Sequence, residues 1–320
     1  MNVLITEPTA YSLVALELYE DVGNLLPFMD SLSCIERIIP EVDVLVVRLG
    51  IHFDSRLLMK AKRLKYIVTP TTGLDHIDQL YCHENSIEII SLKGEVDFLK
   101  TITPTAELTW GLLLGLIRKI PAGFKSVLNG TWNRNLFLGI ELKGKTLGVI
   151  GFGRLGQMVA RYGDAFGMDV IYNDTGKLDV SLNAKYTSLM VLLAKSDVVS
   201  VHLPLEDDTR NFIDAEKISK MKRGAILINT SRGGIIDEDA LLSALESGEI
   251  FGAALDVLAN ELSDKDNWAK TDALVEYARN NENLIITPHI GGACPDSMRK
   301  TEQFCAEAFT LFFNKKNMAK

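Results

Sequence analysis

The stretch from Lys145 to Asp174, KTLGVIGFGRLGQMVARYGDAFGMDVIYND, constrains the fold more than any other. Thr146 to Ile150 is a short apolar run bounded by glycine, which reads as a buried strand. Glycines follow at 151, 153 and 156. Gly151 permits a tight turn, Gly153 lets backbone approach a pyrophosphate, and Gly156 lets the next helix lie close on the strand. Leu155, Val159, Tyr162 and Phe166 recur at helical spacing, so the turn opens a helix whose N-terminal amides face an anion. A second strand, Asp169 to Asn173, runs into Asp174. A carboxylate there accepts hydrogen bonds from a ribose 2′-hydroxyl and repels a 2′-phosphate. Strand, glycine turn, helix, strand and terminal acid together predict a dinucleotide site that takes NAD rather than NADP.

At 320 residues the chain exceeds what one core supports, so two domains are expected. Residues 1 to about 95 alternate strand-like runs (Asn2 to Thr6, Val42 to Arg48, Lys65 to Thr69, Ile87 to Ser91) with helical ones near Tyr11 to Tyr19 and Asp54 to Lys62. Such alternation means a parallel sheet with helices on its faces. At Thr103 a capping residue precedes Pro104. The apolar run behind it predicts a long helix that crosses between domains and ends at Ile120, before Pro121. Beyond Asp174, strands are predicted at Val198 to Leu203, Ala225 to Asn229, Gly252 to Asp256 and Leu284 to Thr287, which makes six in parallel. Helices are predicted around Ser188 to Lys195, Ala215 to Met221 and Glu238 to Ser247. A polar surface excursion is predicted over Leu258 to Asn283. An amphipathic helix over Pro295 to Phe313 returns to the N-terminal domain. The fold class is therefore α/β, with two doubly wound parallel-sheet domains. A Rossmann NAD-binding domain, residues 101–292, is inserted in a smaller flavodoxin-like substrate domain, residues 1–100 plus 293–320.

A net charge of −8 with no long basic run argues against nucleic acid or an anionic membrane as partner. Cys34, Cys82, Cys294 and Cys305 lack metal-ligand spacing, so buried reduced thiols are expected, without disulfide or metal. The N-terminus MNVLITEPTAYS has no positively charged leader. The longest apolar run, Leu108 to Ile117, is too short to span a bilayer. A cytoplasmic location is expected.

Each strand of the second domain ends in a polar cluster, and a doubly wound sheet gathers those carboxyl ends at one crevice. Three residues in that set have complementary uses. Hydride transfer between nicotinamide and a carbonyl needs a proton donor on the oxygen, a cation for the neighbouring carboxylate, and a partner that orients the donor. His289 suits the first role, because histidine is the side chain that titrates nearest neutrality. Arg232 offers a planar fork to a carboxylate, and Glu261 can pair with the histidine and fix its tautomer.

The motifs TTGLDHID (71–78), TAELTWGLLLGLIRKIP (105–121), ELKGKTLGVIGFGRLG (141–156), VHLPLEDDTRN (201–211), INTSRGGIIDEDALLSAL (228–245), GAALDV (252–257) and TPHIGG (287–292) stand in an order that resembles the D-isomer specific 2-hydroxyacid dehydrogenase family, most closely its phosphoglycerate-oxidising members. The resemblance implies catalytic roles for Arg232, Glu261 and His289. It implies cofactor contacts from the Gly151, Gly153 and Gly156 turn, from Arg154 and Leu155 on the phosphates, and from Asp174 on the adenine ribose. Leu203, Thr230, Asp256 and His289 would surround the nicotinamide half, and Pro204, Thr209, Gly291 and Gly292 would also bind the cofactor. Substrate would meet Arg48, Thr71, Thr72, Gly73 and Arg232, and the helix after Thr103 would be the contact of a homodimer.

Two departures bear on the substrate. Thr101 stands where relatives carry asparagine, after the extended segment EVDFLKTI. Arg48 is followed by Leu49 and Gly50 rather than by a second arginine. The resemblance thus leaves open a phosphoglycerate-dehydrogenase-like enzyme or a glyoxylate, hydroxypyruvate or sugar-acid reductase. A reading from another class is an NAD-sensing corepressor-like binding protein. Formate oxidation is disfavoured by Glu261, where formate-oxidising relatives carry an amide. With the chain ending at 320, feedback by serine is not expected.

Overall fold

The computed structural model describes every residue except 28–31, 179–180, 262–267 and 319–320. The chain divides into two compact units. Unit 1 comprises Met1–Ile102 with Ala293–Lys320, and unit 2 is Thr103–Gly292.

Unit 1 holds five strands: β1 (Asn2–Ile5), β2 (Asn24–Leu25), β3 (Val44–Val46), β4 (Tyr66–Thr69) and β5 (Glu88–Ser91). They pair in parallel in the order β2-β1-β3-β4-β5, the flavodoxin-like arrangement. β3 and β4 are buried at every residue, as expected of parallel strands covered on both faces. The Pro295–Met318 helix belongs to this unit and buries Thr301, Glu302, Cys305, Ala306 and Phe309. Phe309 meets Tyr66 edge-on at 5.4 Å, and Phe304 stacks on Phe98 at 4.1 Å. Phe98 lies in the short helix Val96–Leu99, so the segment after Leu92 is ordered by aromatic packing rather than left as a loop.

Unit 2 holds seven strands where the sequence predicted six: β6 (Thr146–Ile150), β7 (Asp169–Asn173), β8 (Ala184–Tyr186), β9 (Val198–Val201), β10 (Ile226–Asn229), β11 (Gly252–Leu255) and β12 (Leu284–Ile286). The parallel order is β12-β11-β10-β9-β6-β7-β8, with the switch between β6 and β9 where a doubly wound sheet opens its ligand crevice. β8 escaped the sequence because its three residues, Ala-Lys-Tyr, form a mostly exposed edge.

Two helical expectations need correcting. The first helix of unit 2 spans Pro104–Ile117 and does not cross between units. Lys119 is left-handed at φ 52°, and a second helix, Ile120–Leu128, starts there with Pro121 in its first turn. Proline is tolerated in a first turn, so it opens a helix here instead of stopping one. The Thr103 hydroxyl makes no backbone cap and instead donates to the Glu107 carboxylate. In the Arg154–Ala165 helix the buried face is Gly156, Val159, Ala160 and Gly163, while Leu155 and Tyr162 are half-buried. Small residues win that face because the helix lies so close that a Cβ on Gly163 would sit 2.6 Å from Leu147 Cδ2. Phe166 stays largely exposed and stacks on Trp110 at 4.6 Å.

Candidate active site

The glycine turn after β6 shows three different demands. Gly151 has φ 84°, and a Cβ there would fall 2.5 Å from the carbonyl oxygen of His202. A Cβ on Gly156 would fall 2.1 Å from the Gly151 carbonyl oxygen. Both are glycine for the fold's own sake. Gly153 is exposed and would meet nothing within 4 Å, so the protein gives no packing reason for its missing side chain. It caps the 12-residue Arg154–Ala165 helix, whose first amides are oriented for an anion. Asp174 ties the turn down, Oδ2 accepting from the Phe152 amide at 2.6 Å and Oδ1 from the Thr175 amide at 2.7 Å. Two carboxylate oxygens offer about four acceptor sites, so capacity for a ribose hydroxyl remains. An open second glycine, a helix N-terminus and a terminal acid fit a dinucleotide pyrophosphate and ribose.

On the other side of the switch point, β9 ends at His202 and Leu203. The His202 ring is bonded to Ser200 through Nε2 at 2.8 Å, and burial pushes its pKa down to about 4, so it is a neutral imidazole. Leu203 is half-buried and Pro204 exposed. Thr209 donates to the Pro204 carbonyl at 2.7 Å and accepts from the Glu206 amide, closing that loop on itself.

The loops after β10, β11 and β12 carry Arg232, Glu261 and His289. Asn229, buried at the end of β10, donates to the Arg232 carbonyl at 2.8 Å and accepts from the amide and hydroxyl of Ser231. That fixes the turn bearing Arg232, whose guanidinium is half-buried and donates to the Ser231 carbonyl at 2.8 Å. Thr230 meets Thr109 at 2.8 Å, and Thr109 already donates to the Thr105 carbonyl. Thr230 is therefore the donor in that pair, and its own oxygen keeps acceptor capacity. A Cβ on Gly233 would lie 2.0 Å from the Leu258 carbonyl carbon, so the Arg232 turn presses against the loop that carries Glu261.

Glu238 reaches the same loop, accepting from the Ala259 amide at 2.7 Å. Burial pushes its carboxyl up to about 7, with Asp272, Asp239 and Glu261 adding to the rise and the Ala259 amide opposing it. Asp256, buried at the end of β11, accepts from the Thr287 hydroxyl at 2.6 Å and from the amides of Ile290 (2.9 Å) and Gly291 (2.7 Å). Burial raises its carboxyl, and those donors counter the rise. The result is a clamp around His289, which is left-handed at φ 53° with its amide donating to the Asp256 carbonyl at 2.8 Å. His289 Nδ1 lies 2.8 Å from Glu261 Oε1. The two side chains are 24% and 18% exposed, so the pair is screened from bulk water yet open on one side.

The structure thus brings Glu261 and His289 into contact and holds the Arg232 turn against the Glu261 loop. Sequence reasoning missed Asn229, Glu238 and Thr109. An asparagine closing a strand before a serine is a turn signal that points to the first. The second hid behind the helix cap, where Asp237 accepts from the Ala240 amide at 3.0 Å.

In unit 1, Thr71 donates to the Gly73 carbonyl at 2.8 Å and pairs with Thr69, while Thr72 is exposed at the turn. Arg48 is bound to Glu302 and donates to the Thr9 carbonyl at 3.2 Å. Cys82, Cys294 and Cys305 are free thiols. Cys82 and Cys305 are buried as expected, but Cys294 is exposed, lying just before the Pro295 helix. Among the described residues no group of three or more histidine, cysteine or acidic side chains could hold a metal, and no helix is long and apolar enough to cross a membrane.

This fold and this site define a nicotinamide-dinucleotide oxidoreductase. The NAD binding domain of D-isomer specific 2-hydroxyacid dehydrogenases matches residues 110–291. The chain is 39% identical over 264 residues to a hydroxypyruvate reductase of Thermotoga maritima, covering 82% of each protein. It is 36% identical over 313 residues to a D-3-phosphoglycerate dehydrogenase of Methanocaldococcus jannaschii, spanning 96% of this chain but 56% of that one. A D-lactate dehydrogenase of Aquifex aeolicus, solved with NAD and lactic acid, superposes with a TM-score of 0.85 at 31% identity, over 98% of this chain and 96% of that one. The chain belongs to the D-isomer specific 2-hydroxyacid dehydrogenase family and is an NAD-dependent enzyme acting on CH–OH donors.

Proposed function

We propose that this chain reduces a small 2-oxoacid to the D-2-hydroxyacid with His289 as general acid, Glu261 as the group that orients it, and Arg232 as the carboxylate anchor. The 2.8 Å contact between His289 Nδ1 and Glu261 carries the reading. A carboxylate accepting from Nδ1–H fixes the tautomer and leaves Nε2 as the nitrogen that hands its proton to the carbonyl oxygen. NAD supplies or accepts the hydride. Gly151, Gly153, Arg154, Leu155 and Gly156 would hold the pyrophosphate and Asp174 the ribose. Leu203, Pro204, Thr209, Thr230, Asp256, Gly291 and Gly292 would shape the nicotinamide end. Asp256 and Gly291 do so through each other, since the amide already donates to the carboxylate. Thr71, Thr72 and Gly73 are assigned to substrate on the family resemblance, as is Arg48. Residues 1–102 with 293–320 would accordingly be the substrate domain, and 103–292 the cofactor domain.

A homodimer is supported by one apolar stretch that the described chain leaves uncovered, including Phe124, Leu128, Trp132 (88% exposed) and Leu138. The free thiols of Cys82, Cys294 and Cys305 suit the reducing cytoplasm. The test is NADH oxidation by the purified chain with glyoxylate, hydroxypyruvate, pyruvate and phosphohydroxypyruvate. Turnover of at least one is expected, and inertness toward all four would overturn the proposal. Sedimentation of the same preparation as a monomer would remove the dimer.

A further inference from the structure

We propose that Glu302 sets the charge of the substrate: by holding Arg48 at the carboxyl end of β3, it turns away phosphorylated 2-oxoacids in favour of those whose far end is neutral. The inference rests on the reading above, in which Arg48 belongs to the substrate end of unit 1.

Arg48 is the cation that a distal phosphate would need, and its charge is already taken. Its Nη2 is paired with Glu302, which is 1% exposed and anchored by the Ser12 amide at 2.7 Å on its second oxygen. A second carboxylate crowds the same loop. Glu7 accepts from the amides of Arg48 at 3.0 Å and Gly50 at 3.4 Å, so close that a Cβ on Gly50 would sit 2.1 Å from Glu7 Oε1. Of the remaining titratable neighbours Arg299 is positive and lowers the Glu302 carboxyl, and its partner Asp296 offsets that charge. Burial raises the Tyr11 hydroxyl far above its ordinary range, and Tyr11 offers only a ring 4.9 Å from the guanidinium carbon. Burial pushes the Cys305 thiol, one turn along from Glu302, up to about 12. Arg299 is engaged by Asp296 at 2.7 Å. Burial raises the Glu302 carboxyl, and the Ser12 amide and Arg48 oppose the rise.

Two carboxylates and one guanidinium leave this loop net negative, the opposite of a phosphate site. A phosphate that captured Arg48 would strand Glu302 as a buried charge with no cation, which is strongly unfavourable. A neutral acceptor asks for much less. Arg48 Nε is buried, so the guanidinium is already enclosed on that edge, and a neutral far end leaves its pairing with Glu302 intact. The absence of a second arginine after Arg48 removes attraction for phosphate, and Glu302 adds repulsion.

The experiment compares kcat/KM for phosphohydroxypyruvate and hydroxypyruvate with NADH, using the full chain and its Glu302→Gln variant. Glutamine keeps the shape and an acceptor for Ser12, and releases the Arg48 charge. The parent is expected to favour hydroxypyruvate, and the variant to raise the phosphorylated-to-unphosphorylated ratio about tenfold, mainly through KM. The double variant Arg48→Gln with Glu302→Gln, which strands no charge and so guards against misfolding, is expected to lose that gain. A parent that prefers phosphohydroxypyruvate overturns the inference whatever the variants do. So does a folded Glu302→Gln with normal turnover and an unchanged ratio, which leaves the proposed reaction standing. Failure to turn over either oxoacid would instead strike the reaction itself.

Discussion

Glu238 illustrates how a residue outside the proposed catalytic set can hold one of its loops in place. Its carboxyl accepts from the Ala259 amide, two residues before Glu261, in surroundings that push its pKa up to about 7. In the unfolded chain the group ionises near the ordinary glutamate value, so folding binds its proton more tightly. The stabilisation is full below the unfolded pKa and is lost as pH rises through about 7. Glu238→Gln keeps an acceptor for Ala259 and removes the titration. Its melting temperature is expected to fall less than the parent's between about pH 5 and about pH 8, as scanning calorimetry would read. Parallel curves would contradict this. His202 works in the opposite sense. Its pKa of about 4 means the unfolded state takes a proton first, so its contribution is lost as pH falls below the ordinary histidine value toward about 4. None of this was legible in the sequence. Glu238 acts through a backbone amide 21 positions away, whereas Arg232, Glu261 and His289 stand in motifs at strand ends where a carboxylate, guanidinium or imidazole has a recognisable use.

At the level of elements, the glycines around the cofactor crevice separate fold from function. Gly233 must be glycine for packing, because a Cβ 2.0 Å from the Leu258 backbone has nowhere to go. Gly233→Ala is expected to destabilise the chain by about 1–3 kcal/mol and to disturb the Glu261 loop. Gly153 has open space instead, so Gly153→Ala is expected to leave thermal unfolding unchanged while weakening NADH binding about tenfold or more, as titration calorimetry would measure. Unchanged affinity in Gly153→Ala would mean that the turn does not cradle the pyrophosphate. The strands most legible in the sequence were those buried along their length, such as β6, β9 and β10, since parallel strands covered on both faces become continuous apolar runs. β2 and β8 are two- and three-residue edges with too little apolar pattern to read. The helix break at Lys119 was misread because Pro121 looks alike in sequence whether it ends one helix or begins the next.

At the scale of the whole chain, two parallel sheets of flavodoxin-like and Rossmann order each gather their loops at the carboxyl ends of their strands. In unit 2 that gathering joins Glu261 to His289, 28 positions apart, and seats the Arg232 turn on the Glu261 loop through Gly233. In unit 1 it joins Arg48 to Glu302 across 254 positions, a pairing invisible until the C-terminal helix is seen to belong to the N-terminal sheet. In the proposed reaction His289 gives its proton to the substrate oxygen, and its contact with the nicotinamide end is a minor part of what holds the dinucleotide. The direct measurement is kcat for 2-oxoacid reduction alongside the NADH dissociation constant in His289→Gln. In that variant kcat is expected to drop about 10²–10⁴-fold with NADH affinity essentially retained. Near-normal turnover would contradict it, and so would parallel loss of turnover and NADH binding, which would make His289 a structural part of the cofactor site.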